Sequence, residues 1–184
     1  MQILSLSFLF ILLPGCRTDS KTGDTSQAEF GQPVRVEMNG YNGNIMEPFL
    51  SRDGNILLFN NLNSLPENTN LHWATKINDT SLQYKGEITG VNTMDLEAVP
   101  TLDNAGNLYF VSTRNYTTTL STLYQCNFLN GAVKDIQLLN GVSKLQAGWV
   151  NFDVEVSANG QSLFFVDAQF DQSGNPATAD LIFA

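Results

Sequence analysis

Few side chains in this 184-residue sequence could do chemistry, and their spacing limits what each could do. His72 is the one histidine, and Trp73 follows it. A lone imidazole with no second histidine and no cysteine cluster cannot complete a zinc site of usual composition. It could act as a general base, or sit on an alternating strand facing core or solvent. Cys126 lies in Leu123-Tyr124-Gln125-Cys126 with no histidine nearby in sequence, and so reads as a buried, inert thiol rather than a nucleophile. The stretch from Asp167 through Asp171 to Asn175 offers oxygens that suit calcium. Its spacing departs from the EF-hand pattern, which favours a polar loop between strands. No Gly-x-Ser-x-Gly elbow, Walker loop or dinucleotide fingerprint occurs. The sequence therefore assigns no catalytic residue, no metal ligand and no cofactor. Tyr41, Trp73, Tyr116 and Trp149, with Phe170, fall near loops or strand ends. Flat rings there either stack on sugars and peptides or fill gaps between packed sheets.

Charge narrows the partners. Eighteen acidic residues against nine basic ones give a net charge of −9. A surface of that sign repels phosphate backbones and anionic head groups, which excludes nucleic acid and a polybasic membrane patch. Apolar residues make up 42% and charged residues 15%, which is too apolar for wholesale disorder.

The elements that must position these residues repeat along the chain. Turn glycines Gly54, Gly106 and Gly160 are 52 and 54 residues apart. Before them run Glu47-Pro-Phe-Leu-Ser-Arg-Asp, Glu97-Ala-Val-Pro-Thr-Leu-Asp-Asn-Ala and Asp153-Val-Glu-Val-Ser-Ala-Asn. After them, Leu57 and Phe59, Leu108 and Phe110, and Leu163 and Phe165 alternate in the period of a strand. A further strand-like run follows in each copy, at Asn70–Ala74, Thr122–Cys126 and Asp180–Ala184. On this alignment Glu97 matches Glu47, and the second copy carries two extra residues, with Thr101 and Asp103 in place of Ser51 and Asp53. No window predicts an amphipathic helix. A period near 50 residues with about four short strands is the size of a propeller blade, so the expected fold is all-β with copies over 40–89, 90–140 and 141–184.

The first sixteen residues read differently. An apolar run from Ile3 to Leu13 is too short for a bilayer, which takes roughly twenty residues. It ends on Leu13-Pro14-Gly15-Cys16, which resembles the lipobox of bacterial lipoproteins. The resemblance implies a signal peptide over 1–15, lipidation of Cys16, and membrane attachment through that lipid alone. It departs in lacking a basic residue ahead of the apolar run. The polar stretch that follows predicts a flexible tether over 16–33 ahead of the repeats at 34–184. Arg17 rather than aspartate after the cysteine resembles the outer-membrane sorting signal of Gram-negative lipoproteins.

Glu47-Pro-Phe-Leu-Ser-Arg-Asp-Gly followed by an apolar strand resembles the WD40-like repeat of the TolB family. That resemblance covers about residues 40 to 184, and implies β-propeller blades in which Glu47, Ser51 and Asp53 brace the hairpins. About three blades are visible where closed propellers have roughly four to eight, so a partial propeller is expected. Each terminal copy would then leave one apolar face uncovered, with Phe165 and Phe183 the most affected. The expected role is a binding scaffold at the cell envelope for a protein or glycan. The alternative is the propeller part of an exported serine peptidase or polysaccharide lyase.

Overall fold

Alternating apolar residues on either side of glycine turns dictate a chain of hairpins, and the computed structural model, which describes residues 30–63, 69–171 and 173–184, is built of them. The signal-peptide, lipidation and most of the tether expectations fall outside those residues. Twelve strands form three sheets, with one short helix among the described residues. The first sheet contains β1 (Glu37–Asn39), β2 (Met46–Leu50), β3 (Ile56–Asn60), β4 (Leu71–Asn78) and β5 (Ser81–Glu87). The second contains β6 (Glu97–Leu102), β7 (Asn107–Ser112), β8 (Leu123–Leu129) and β9 (Ala132–Leu138), with helix α1 (Tyr116–Thr119) between β7 and β8. The third contains β10 (Trp149–Val156), β11 (Leu163–Phe170) and β12 (Pro176–Phe183). Each sheet is an antiparallel meander in chain order, except that β1 adds in parallel to the outer edge of β5. Four strands per repeat were expected; the sheets have five, four and three.

The three first hairpins are built alike. Gly54, Gly106 and Gly160 each donate their N–H to the carbonyl three residues earlier, at Ser51, Asp103 and Ser157. In the first turn the Ser51 hydroxyl donates to Asp53 Oδ1 at 2.6 Å and accepts the Ile56 N–H at 2.9 Å. Ser157, Asn159 and Ser162 repeat that pattern in the third. In the second turn one side chain replaces two. Asp103 Oδ1 accepts the N–H groups of both Ala105 and Asn107.

Seven residues before each turn glycine the ladder breaks into a bulge, between Met46 and Phe49, Ala98 and Thr101, and Phe152 and Glu155. The bulged residues Glu47, Val99 and Asp153 all have left-handed backbones, with φ of 47°, 52° and 54°. This corrects the sequence alignment. Val99, not Glu97, occupies the place of Glu47, and the second copy carries no extra residues before its glycine. Asp103 stands where Ser51 stands, and Thr101 where Phe49 stands. An acidic residue two positions away drew the alignment off the backbone equivalence.

Strand β7 lies between two cores. Leu108 and Phe110 on one face join Phe49, Leu58, Leu71 and Phe128 between the first and second sheets. Tyr109 and Val111 on the other face join Leu123, Val156, Leu163 and Phe165 between the second and third. A strand buried on both faces should read as continuously apolar, and Leu-Tyr-Phe-Val does. Phe59, Phe110 and Phe165 are each 1% exposed or less, and burying each stabilises the fold by about 1.5–3 kcal/mol. The expectation that Phe165 would lie uncovered is therefore wrong, since it fills the core between sheets two and three. The uncovered face of the third sheet is the opposite one, where Phe164, Leu181 and Phe183 are exposed. On the outer face of the first sheet, Phe59 is covered. Tyr41 packs its ring 5.3 Å from Phe59 and 4.7 Å from Tyr84.

Candidate functional site

Strands β2, β6 and β10 come together at the inner edges of their sheets, with β6 in contact with both of the others. Between them lies an open cleft of about 500 Å³, and the three bulge residues Glu47, Val99 and Asp153 all line it. A left-handed bulge turns its residue out of the pleat, which is how one repeat position from each sheet reaches the same space. Leu96, Val111, Phe152 and Phe170 make the walls apolar. Volume and lining fall in the range of small-ligand sites, roughly 300–1,000 Å³.

Two carboxylates face this apolar setting. Burial pushes the Glu47 carboxyl up from its ordinary value, Asp153 adds to the rise, and hydrogen bonds from Asn60, Asn63 and the Val99 backbone oppose it. Asn63 Nδ2 donates to Glu47 Oε1 at 2.9 Å, whereas Oε2 is buried without a hydrogen-bond partner of good geometry. Burial likewise raises Asp153. The described lining residues include no lysine, arginine or histidine. Among the described residues no three His, Cys, Asp or Glu side chains gather as a metal site would require.

Polar side chains hold the sheets around the cleft. Asn60 Oδ1 accepts the Val99 N–H at 3.2 Å, joining the first sheet to the second. The Asn151 N–H donates to Thr122 Oγ1 at 2.9 Å, joining the second to the third. Arg52, in the first turn, reaches the third sheet, where it pairs with Glu155 and donates to the Val156 carbonyl at 2.8 Å. Thr101 Oγ1 donates to Glu155 Oε2 at 2.8 Å.

At the start of β6 lies an ion pair that sequence reading did not predict. Glu97, fully buried, accepts hydrogen bonds from Thr93, Ser112 and Arg114. The Arg114 guanidinium lies 5.4 Å from the centres of both the Phe110 and Tyr124 rings. In the third sheet Asp167 pairs with Lys144 at 2.7 Å and accepts from Asn151. The signal available in sequence was an arginine two residues beyond the buried strand end at Ser112.

The other sequence candidates take these places. Ser51 and Asp53 lie in the first turn, where the Ser51 hydroxyl and Asn55 hold the Asp53 carboxyl down at about 2. Trp73, on β4, stacks edge-on against Phe128 between the first and second sheets, 6.0 Å between ring centres. Tyr116, on α1, donates its hydroxyl to the Trp149 carbonyl at 2.7 Å. The Trp149 ring carries the Lys144 ammonium over its face. Tyr41 donates its hydroxyl to the Asn44 carbonyl at 3.0 Å. None of these four aromatics lines the cleft; Phe170 does. His72 is 5% exposed, stacks on Phe59 at 5.3 Å and shares a 2.8 Å hydrogen bond between Nδ1 and the Tyr84 hydroxyl. Burial lowers its pKa, the opposite of what a base poised near neutrality and open to substrate requires. Cys126 is 3% exposed and its thiol is pushed up to about 12 by burial, which leaves it inert. Asp171 closes a turn by accepting the N–H groups of Ser173 and Asn175.

No protein-family model and no curated protein matches the sequence. Among solved structures, part of a prolyl endopeptidase is similar, with a TM-score of 0.41 and 14% identity over 72% of this chain. The similar part is 19% of the length of that enzyme, and a likeness at this level carries no weight on function.

Proposed function

We propose that residues 34–184 form propeller-type blades of an exported lipoprotein, anchored through Cys16, and that they bind a protein or glycan partner at the cell envelope. The observation that carries the reading is the convergence of Glu47, Val99 and Asp153, one bulge residue from each sheet, on a single cleft. Sheets that turn the same position of every repeat toward a common centre are what blades around an axis provide. The cleft offers apolar walls and polar groups, and its described lining residues include no serine or cysteine nucleophile and no histidine base of the kind acyl transfer uses. Glu47 belongs to this inner face rather than to the hairpin brace, a role left to Ser51 and Asp53.

The test uses the full-length chain in a bacterial host. Cys16→Ser is expected to abolish labelling by a palmitate analogue and to release the protein from membranes. Retained labelling contradicts the anchor. A photo-crosslinking residue at Phe170, in the cleft, is expected to capture a partner, while one at Lys134, on the outer strand β9, captures none. Equal capture at both positions contradicts the cleft as the binding face.

A further inference from the structure

Away from the cleft, the three sheets end on β1, β9 and β12. An outer strand presents N–H and C=O groups that pair with any strand able to reach them, and folded proteins blunt such edges by keeping them short, charged or bulged. Two of the three edges here are blunted. β1 is three residues long and carries Glu37. β9 carries Lys134 and Asp135, and bulges where Asp135 takes a left-handed backbone with φ of 56°. β12 is not blunted. Its ladder to β11 runs unbroken over 178–183, and Asp180 is its one charge.

The ladder also fixes where the free groups of β12 point. Leu163 and Ala184 exchange both backbone hydrogen bonds, at 2.8 and 2.9 Å. Bonded and non-bonded pairs alternate in an antiparallel ladder, so Ala179, Leu181 and Phe183 turn their N–H and C=O away from β11. The side chains of these same residues share one face of the sheet. On that face Leu181 is 72% exposed and Phe183 64%. The first and second sheets have a strand at the corresponding place, β5 beside β4 and β9 beside β8. Among the described residues the third sheet has none.

We infer that β12 pairs antiparallel with β12 of a second copy of this chain, about a twofold axis at Leu181, so that two third sheets join into one. The strand is complementary to itself in this register. Leu181 lies against Leu181 of the second copy, and the bulky Phe183 of each copy falls beside the small Ala179 of the other. These are the residues whose backbone groups point outward, so each of these pairs exchanges its N–H and C=O bonds. On the opposite face Asp180 lies across from Ile182. Moving the axis to Asp180 would set two carboxylates directly opposite each other, where like charges destabilise a sheet. The charge that blunts this edge least therefore also selects the register. Pairing about a twofold axis uses both open edges, and the assembly closes at two copies.

The experiment is sedimentation equilibrium of the full-length chain, joined to residue-resolved amide hydrogen exchange at low and high protein concentration. A monomer–dimer equilibrium with no larger species is expected. In the dimer the amides of Ala179, Leu181 and Phe183 should gain about tenfold protection or more, while those of Asp180 and Ile182, already held by β11, change little. Ala179→Pro removes an outward N–H that no strand of the single copy uses, and should weaken the dimer about tenfold or more. Leu181→Lys sets like charges across the axis and should do the same. Phe164→Ser alters the same open face one strand further in, and should leave the dimer intact. A monomer at concentrations up to about 1 mM, the weak end of specific association, would overturn the inference. So would a dimer that survives both edge variants and dissociates with Phe164→Ser, since the sheets would then meet face to face. The exchange comparison needs no variant to fold: dimerisation that leaves Ala179, Leu181 and Phe183 unprotected would overturn the inference as well.

Discussion

At the residue scale, the most deeply buried ion pair among the described residues is that of Glu97 and Arg114. The glutamate side chain is 0% exposed and the arginine 13%, with Nη2 and Oε1 2.9 Å apart. A pair of this kind gains little over an apolar substitute, but removing one member strands a buried charge at a cost of about 3–5 kcal/mol. Arg114→Ala should therefore lower unfolding free energy by that order in urea titration, with Glu97→Gln together with Arg114→Met losing much less. An effect of Arg114→Ala below about 1 kcal/mol would mean the pair is solvated. This network was illegible in sequence because its members are seventeen residues apart on opposite sides of a hairpin end, and neither belongs to the repeating pattern. The repeat itself drew attention to Glu97 for another reason, as the match to Glu47, and the backbone assigns it to a different position.

At the scale of elements, the hairpins were the legible part. A glycine with Asp or Asn beside it, followed by Leu-x-Phe, specifies a turn and a strand through local geometry alone, and β3, β7 and β11 follow from it. Contacts between sheets were not legible, because they depend on which face of each strand meets a neighbour. Trp73 shows this. Its spacing places it on a strand, but only the packing puts its ring against Phe128 and over the β8–β9 turn, where a Cβ at Gly131 would lie 2.3 Å from the indole. Gly54 has a comparable backbone, φ +74° against +82°, but open space around its Cβ position. Gly54→Ala should thus cost only the left-handed backbone strain, about 1–2 kcal/mol. Gly131→Ala should cost that and a further 1–3 kcal/mol or so for displacing the tryptophan. Equal losses for the two in denaturant unfolding would show that Trp73 does not fill this junction.

At the scale of the whole molecule, the account depends on the inner strands of three sheets meeting around one cleft. Strand β7 of the middle sheet is buried on both faces and Phe59 of the first sheet is covered by Tyr41, while the third sheet leaves Phe164, Leu181 and Phe183 open. Bulge residues have no partner in their own ladders, so their amides are held only if the sheets meet as described. The Val99 N–H is held by Asn60 of the first sheet, and the neighbouring Asn151 N–H by Thr122 of the second. Residue-resolved amide hydrogen exchange of the full-length chain tests the arrangement most directly. Protection of Val99 and Asn151 within about tenfold of ladder amides such as Phe110 and Phe165 is the expected result. Exchange of both at the rate of open loop residues, with Phe110 and Phe165 still protected, would show that the sheets form without converging, and the shared cleft would be contradicted.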